Sequence, residues 1–81
     1  MTIVVRLFAA ARELAGASEA VLDLPAGATV GDLRRELGRQ FAALAPLAER
    51  SLVAVNAEYA GEESRLAAED EVALIPPVSG G

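Results

Sequence analysis

Apolar residues recur at two different spacings along the chain, and the switches between them mark its elements. From Thr2 to Phe8 the stretch TIVVRLF alternates, with Ile3, Val5 and Leu7 on one side and Thr2, Val4, Arg6 and Phe8 on the other. Period two with β-branched residues predicts a strand. AAARELAG then predicts a short helix closed by Gly16. EAVLDL, Glu19 to Leu24, alternates again and sets Ala20, Leu22 and Leu24 against Glu19, Val21 and Asp23. This predicts an outer strand with one wet face. After the turn residues PAGA, Thr29 and Asp32 take the positions of a capping box, with Asp in place of the usual Glu or Gln. Val30, Leu33, Leu37 and Phe41 come next at helical spacing as one apolar stripe, and Arg34, Arg35 and Glu36 fall on the side expected to face water. Pro46 is expected to end or prevent further regular helix. SLVAVNAEY predicts a strand from Leu52 to Val55, a turn at Asn56–Glu58 and a short strand at Tyr59. The acidic loop AGEESRLAAEDE has one anchor, Leu66. EVALI, Glu71 to Ile75, predicts the last strand, with Val72 and Leu74 on one face and Ala73 and Ile75 on the other.

The two most hydrophobic strands are the first and the last. The simplest way to bury both is side by side at the sheet centre, with the Val30–Phe41 helix laid across one face. That arrangement is an α+β fold of the β-grasp, or ubiquitin-like, kind: a mixed sheet of about five strands, one main helix and a free C-terminal tail. A body over residues 1–75 and an extended tail over 76–81 are expected. Composition narrows the chemistry. The 81 residues contain no Cys and no His, which removes thiol nucleophiles, Cys/His metal sites and imidazole acid–base catalysis. The acidic run Glu69–Asp70–Glu71 lacks the spaced ligands and glycine of a calcium loop, so no metal site is expected. A net charge of −5 opposes nucleic acid and anionic membranes and favours a partner with a basic groove. No basic leader precedes the first apolar run and no stretch approaches a membrane span, so a cytoplasmic location is expected. All seven cations are Arg. A chain without Lys offers no side-chain amine to an activated carboxyl group, its own included.

By elimination the chemistry falls on PPVSGG, residues 76–81. Pro76 and Pro77 hold φ near −65° and favour an extended rod. They stop the last strand and carry the final four residues away from the body. Val78, Ser79 and Gly80 continue the stem, and the glycines can thread a slot too narrow for a residue with a Cβ. The group presented at the tip is the α-carboxylate of Gly81. A carboxylate is a poor electrophile and needs activation, typically as an acyl-adenylate made from ATP by a partner. A sulfur donor can then convert it to a thiocarboxylate, a soft nucleophile on a tether. At the root of this tail, strand alternation places Phe8 and Ile75 outward as an expected apolar docking patch, which Tyr59 extends.

LFAAARELAG, LPAGATVGDLRREL, LVAVNAEYA and EDEVALIPPVSGG together resemble the MoaD-type sulfur carriers, the small subunits of molybdopterin synthases. The resemblance covers essentially the whole chain. The departure is Glu69–Asp70, where such sequences often have Gly–Asp. The resemblance implies that Gly81 takes the reactive role and Pro76 to Gly80 the threading role. It implies adenylation by a ubiquitin-activating-like enzyme, sulfuration from a donor protein, and sulfur delivery to cyclic pyranopterin monophosphate inside a large synthase subunit, in a heterotetramer of two large and two small subunits. No tightly bound cofactor is expected; ATP belongs to the activating partner. A ubiquitin-like protein modifier needs the same body and tail; a thiamine-type carrier also ends in two glycines but is usually shorter and lacks the PPVSGG stem. A plain binding module with incidental glycines would differ in tolerating added tail residues.

Overall fold

The computed structural model describes residues 1–77. Five strands, β1 (Thr2–Leu7), β2 (Glu19–Asp23), β3 (Leu52–Val55), β4 (Glu58–Ala60) and β5 (Val72–Ile75), form one sheet in the order β2-β1-β5-β3-β4. β1 and β5 pair in parallel and every other neighbour is antiparallel. Helices α1 (Ala9–Ala15), α2 (Val30–Gln40) and α3 (Ala45–Arg50), with a 3-10 turn at Ala42–Leu44, complete the chain. The expected central placement of the first and last strands holds. The reason is visible in their core faces: Ile3, Val5, Leu7, Val72 and Leu74 are at most 2% exposed.

Period-two alternation is realised residue by residue in β1 and β2, where Ile3, Val5, Leu7, Ala20 and Leu22 are buried and their chain neighbours exposed. α2 lies over this buried face through Val30, Leu33 and Leu37, all fully buried. Each such aliphatic side chain contributes roughly 1.5–3 kcal/mol when taken from water. The capping box forms as read: the Thr29 hydroxyl accepts from the Asp32 N–H, and the Asp32 carboxylate accepts from the Thr29 N–H at 3.0 Å. Gly16 ends α1 at φ 71°, the left-handed conformation that glycine adopts without steric penalty. Phe41 is not a full turn of the stripe; it caps α2 and is half-buried against the core.

Two expectations are corrected. Pro46 does not prevent helix: it sits in the first turn of α3, where its missing N–H is not needed. α3 and the turn before it add Leu44, Leu47 and Ala48 to the core. Arg34 does not face water. Its side chain is 15% exposed and donates to the carbonyls of Ala48 and Ser51 and to the Glu62 carboxylate. The segment between α2 and β3 folds back over the helix, and the guanidinium fork reaches the carbonyls of Ala48 and Ser51 at the end of α3. Arg35 is exposed as expected, while Glu36 is half-covered by its pairing with Arg39.

The acidic loop is tied down by backbone. Val30 and Gly31 N–H groups at the start of α2 donate to the carbonyls of Ser64 and Glu62, and Leu66, the expected anchor, is 5% exposed. A Cβ on Gly31 would lie 3.4 Å from the Glu62 carbonyl oxygen, so the crossing is tight there. At the loop's end Asp70 accepts from the Ala67 N–H and the Asn56 amide, while Asn56 also clasps the Glu71 backbone on both sides. β5 is thereby held in register up to the point where the tail leaves.

Candidate functional site

The helices cover one face of the sheet and leave the other open. Across that open face the register aligns Arg6, Ala73, Ala54 and Tyr59 in one row. The next row, towards the end of β5, pairs Leu52 with Ile75. Phe8 adjoins this row. It comes directly after Leu7, which pairs with Leu74, and its backbone stays extended at φ −127° and ψ 154°, so its side chain continues the alternation to the open side. The chain then turns sharply at Ala9, φ 50°, into α1.

Phe8 is 41% exposed, Leu52 54% and Tyr59 70%, whereas Ile75 is half-buried between its neighbours. Tyr59 lies diagonally from Leu52, within reach of an aromatic side chain. Phe8, Ile75 and Tyr59 thus share a face: alternation required it of Phe8 and Ile75, and the pairing with Ala54 adds Tyr59. Leu52 is the member that sequence reading missed. Its signal was weak, because LVAV is apolar on both sides and only the pairing with β5 decides which side faces out. Pro76, half-buried, and exposed Pro77 continue directly from Ile75, so the tail starts at the edge of this patch. Val78, Ser79, Gly80 and Gly81 lie outside the described residues. Small residues, Ala73 and Ala54, separate Arg6 from Tyr59, which leaves the middle of the face low.

Towards the far end of the sheet the open face becomes mixed. Val4 and Val21 pair there, and Val4, Arg6, Glu19, Asp70 and Glu71 line a shallow cavity of about 210 Å³. A larger cavity of about 450 Å³ lies on the helix side, between Gly31, Arg34, Gly38, Ala45, Glu49 and Glu62. Its Arg34 is already satisfied by protein groups. The groups with displaced acidities are also on α2. The Thr29 N–H, and then Arg35, hold the Asp32 carboxyl below its ordinary value; Arg39 does the same for Glu36 and is itself raised by it. These are cap and surface pairs, not reactive groups. Among the described residues no group of three or more His, Cys, Asp or Glu is placed to hold a metal ion, and no helix is long and apolar enough to cross a membrane.

A mixed five-stranded sheet with parallel first and last strands, one main helix across it and a tail leaving the central strand defines a ubiquitin-like β-grasp protein. The model of the ThiS family matches residues 5–81. The chain belongs to the ThiS family. It is 39% identical to the molybdopterin synthase sulfur carrier subunit of Arabidopsis thaliana, over 98% of this chain and 82% of that one. It is likewise 39% identical to the Chlamydomonas reinhardtii protein of the same description, over the whole of both chains. Among solved structures, SAMP1 from Haloferax volcanii superposes with a TM-score of 0.88 at 35% identity over the full length of both.

Proposed function

We propose that this chain is the sulfur-carrying small subunit of a molybdopterin synthase and that Gly81 is its working end. The observation that carries the reading is the placement of the tail: β5, at the sheet centre, releases Pro76 beside the apolar row of Phe8, Ile75 and Leu52. A partner gripping that row holds the start of the tail at a fixed place, and the six residues after Ile75 can reach about 20 Å into a cleft. Full-length kinship with molybdopterin synthase sulfur carrier subunits supports the choice of pathway.

The chemistry divides between this chain and its partners. An adenylating enzyme joins the Gly81 carboxylate to AMP, releasing pyrophosphate. The terminal sulfur of a persulfide on a donor protein attacks the acyl carbon and AMP leaves, giving an acyl disulfide. A thiol then attacks the donor's own sulfur, the S–S bond breaks, the donor departs as a disulfide with that thiol, and the tip is left as –C(=O)S⁻. In the large subunit this sulfur bonds to a carbon of cyclic pyranopterin monophosphate; water then cleaves the acyl C–S bond and restores the carboxylate. Two such deliveries build the dithiolene. The chain itself supplies reach and orientation, which convert an encounter in solution into a local one. Its negative charge suits a cationic partner cleft.

A second reading has its own support, because the superposing Haloferax protein is named a small archaeal modifier protein. The two readings separate in one experiment: intact mass after incubation with the activating enzyme, ATP and a sulfur source. Exchange of one oxygen for sulfur at the C-terminus is the expected result, and it must disappear when Gly81 is deleted or one residue is added after it. Covalent conjugates on other proteins without thiocarboxylate would favour the modifier. Sulfur transfer by the extended variant would overturn the terminal-carboxylate mechanism.

A further inference from the structure

An activated acyl group is dangerous to the protein that carries it, because any free amine or thiol nearby can take it. The amine nitrogen attacks the acyl carbon, AMP leaves, a proton passes to solvent, and an amide locks the tip permanently. The full sequence holds seven Arg and no Lys, Cys or His. Guanidinium groups stay protonated and do not attack. Hydroxyls of Ser, Thr and Tyr are weak nucleophiles without an activating base, and there is no imidazole to provide one. The remaining candidate is the α-amine of Met1. It donates to the Leu24 carbonyl at 2.5 Å in a partly buried position, while the Leu24 N–H donates back to the Met1 carbonyl at 2.8 Å.

The sheet also puts this amine at the wrong end. β1 and β5 are parallel, with Leu7 beside Leu74, so Met1 lies at the end of the sheet away from the tail root. The seven residue steps from Met1 to Phe8 extend about 23 Å along the strand. A tail of six residues spans at most about 22 Å when fully extended. Folding back to its own Met1 would take all of that length and leave none for the turn.

We propose that this chain is insulated against acylation by its own activated C-terminus: it offers neither side-chain amine nor thiol, and its one backbone amine is tied to Leu24 at the far end of the sheet. The activated tip therefore passes only to sulfur or to an amine outside this chain, and any protein conjugate it forms carries a single copy with no chain built upon it. The inference rests on the reading of Gly81 as an activated carboxyl.

The test is incubation with the activating enzyme and ATP, without a sulfur source, and then intact mass and denaturing gels. Wild type and Arg39→Lys are compared, because Arg39 is exposed on the helix side, away from the open sheet face. Glycine ethyl ester added in a parallel reaction reports activation through its own amide. The expected result is amide with the small amine for both proteins, no self-ligated dimer for wild type, and a self-ligated dimer joined at the introduced amine for Arg39→Lys. Dimer or ladder formation by wild type, or no dimer from Arg39→Lys while the small amine reacts, would overturn the insulation. Failure of the small amine to react in either protein would instead sink the reading of Gly81, and the inference with it.

Discussion

Truncating Phe8 to Ala is the sharpest probe of the docking face. A phenylalanine carries roughly 200 Å² of surface, of which the exposed 41% is available to a partner. Burying about 80 Å² at roughly 25 cal/mol per Å² corresponds to about 2 kcal/mol, or a thirtyfold change in Kd. The same residue is more than half covered within the chain. The truncation therefore also removes up to about 3 kcal/mol from the folded state, an upper bound because the unfolded chain is itself partly collapsed. That cost comes from the covered part of the ring; the backbone bond in which the Phe8 carbonyl accepts from the Ala11 N–H survives the truncation. Affinity must accordingly be measured at a temperature where circular dichroism shows the variant fully folded. Titration calorimetry against the large synthase subunit is the assay. Tyr59→Ala provides the companion variant, since Tyr59 is 70% exposed and its loss costs little fold. A folded Phe8→Ala protein with wild-type affinity would refute the assignment of the interface to this face.

Gly80→Val should fold normally and lose sulfur transfer, because a β-branched residue narrows φ/ψ choice and thickens the tail; wild-type rates of adenylation and transfer in that variant would show that no narrow slot receives it. Arg34→Met should lower stability by about 2 kcal/mol, since two carbonyls and the Glu62 carboxylate lose a charged donor. For a domain of this size that is a fall of roughly 10 °C in Tm, read by thermal denaturation. The Asp32 carboxyl lies below its unfolded value of 3.8, so its stabilising contribution is present above that pH and fades as pH falls through the lower folded value. Wild type should thus be more stable than Asp32→Asn near neutral pH, with the difference shrinking below about pH 4; a Tm gap that stays constant down to about pH 2 would contradict the capping role.

Local chemistry alone determined a large part of this protein. The alternation in TIVVRLF and EAVLDL, the Thr29–Asp32 cap and Gly16 as a helix stop are each short-range effects, decided by steric and hydrogen-bonding rules within a turn or two of chain. Hydrophobicity concentrated in the first and last strands was enough to put them together at the sheet centre. The reading of the tail rests on proline and glycine, whose backbone preferences are stated without help from the rest of the chain; Val78 to Gly81 lie outside the described residues. The outward direction of Phe8 and Ile75 came from the same period-two rule, whereas the pairing of Tyr59 with Ala54 is what places it on their face.

Tertiary structure decided what local rules leave degenerate. Leu52 stands in a strand apolar on both sides, where alternation leaves its direction open; only its pairing with Ile75 turns it outward into the row beside the tail. Arg34 reads as a solvated helix residue until α3 and the Glu62 loop fold against it and present carbonyls for the guanidinium to satisfy. Pro46 reads as a helix breaker, yet the turn at Ala42–Leu44 redirects the chain so that proline begins a helix instead. The distance between Met1 and the tail root depends on β1 and β5 being parallel, a relation between strands at opposite ends of the chain. Pro46 aside, the deciding partner is remote in sequence, so a side chain's burial and direction are set by what the fold brings to it.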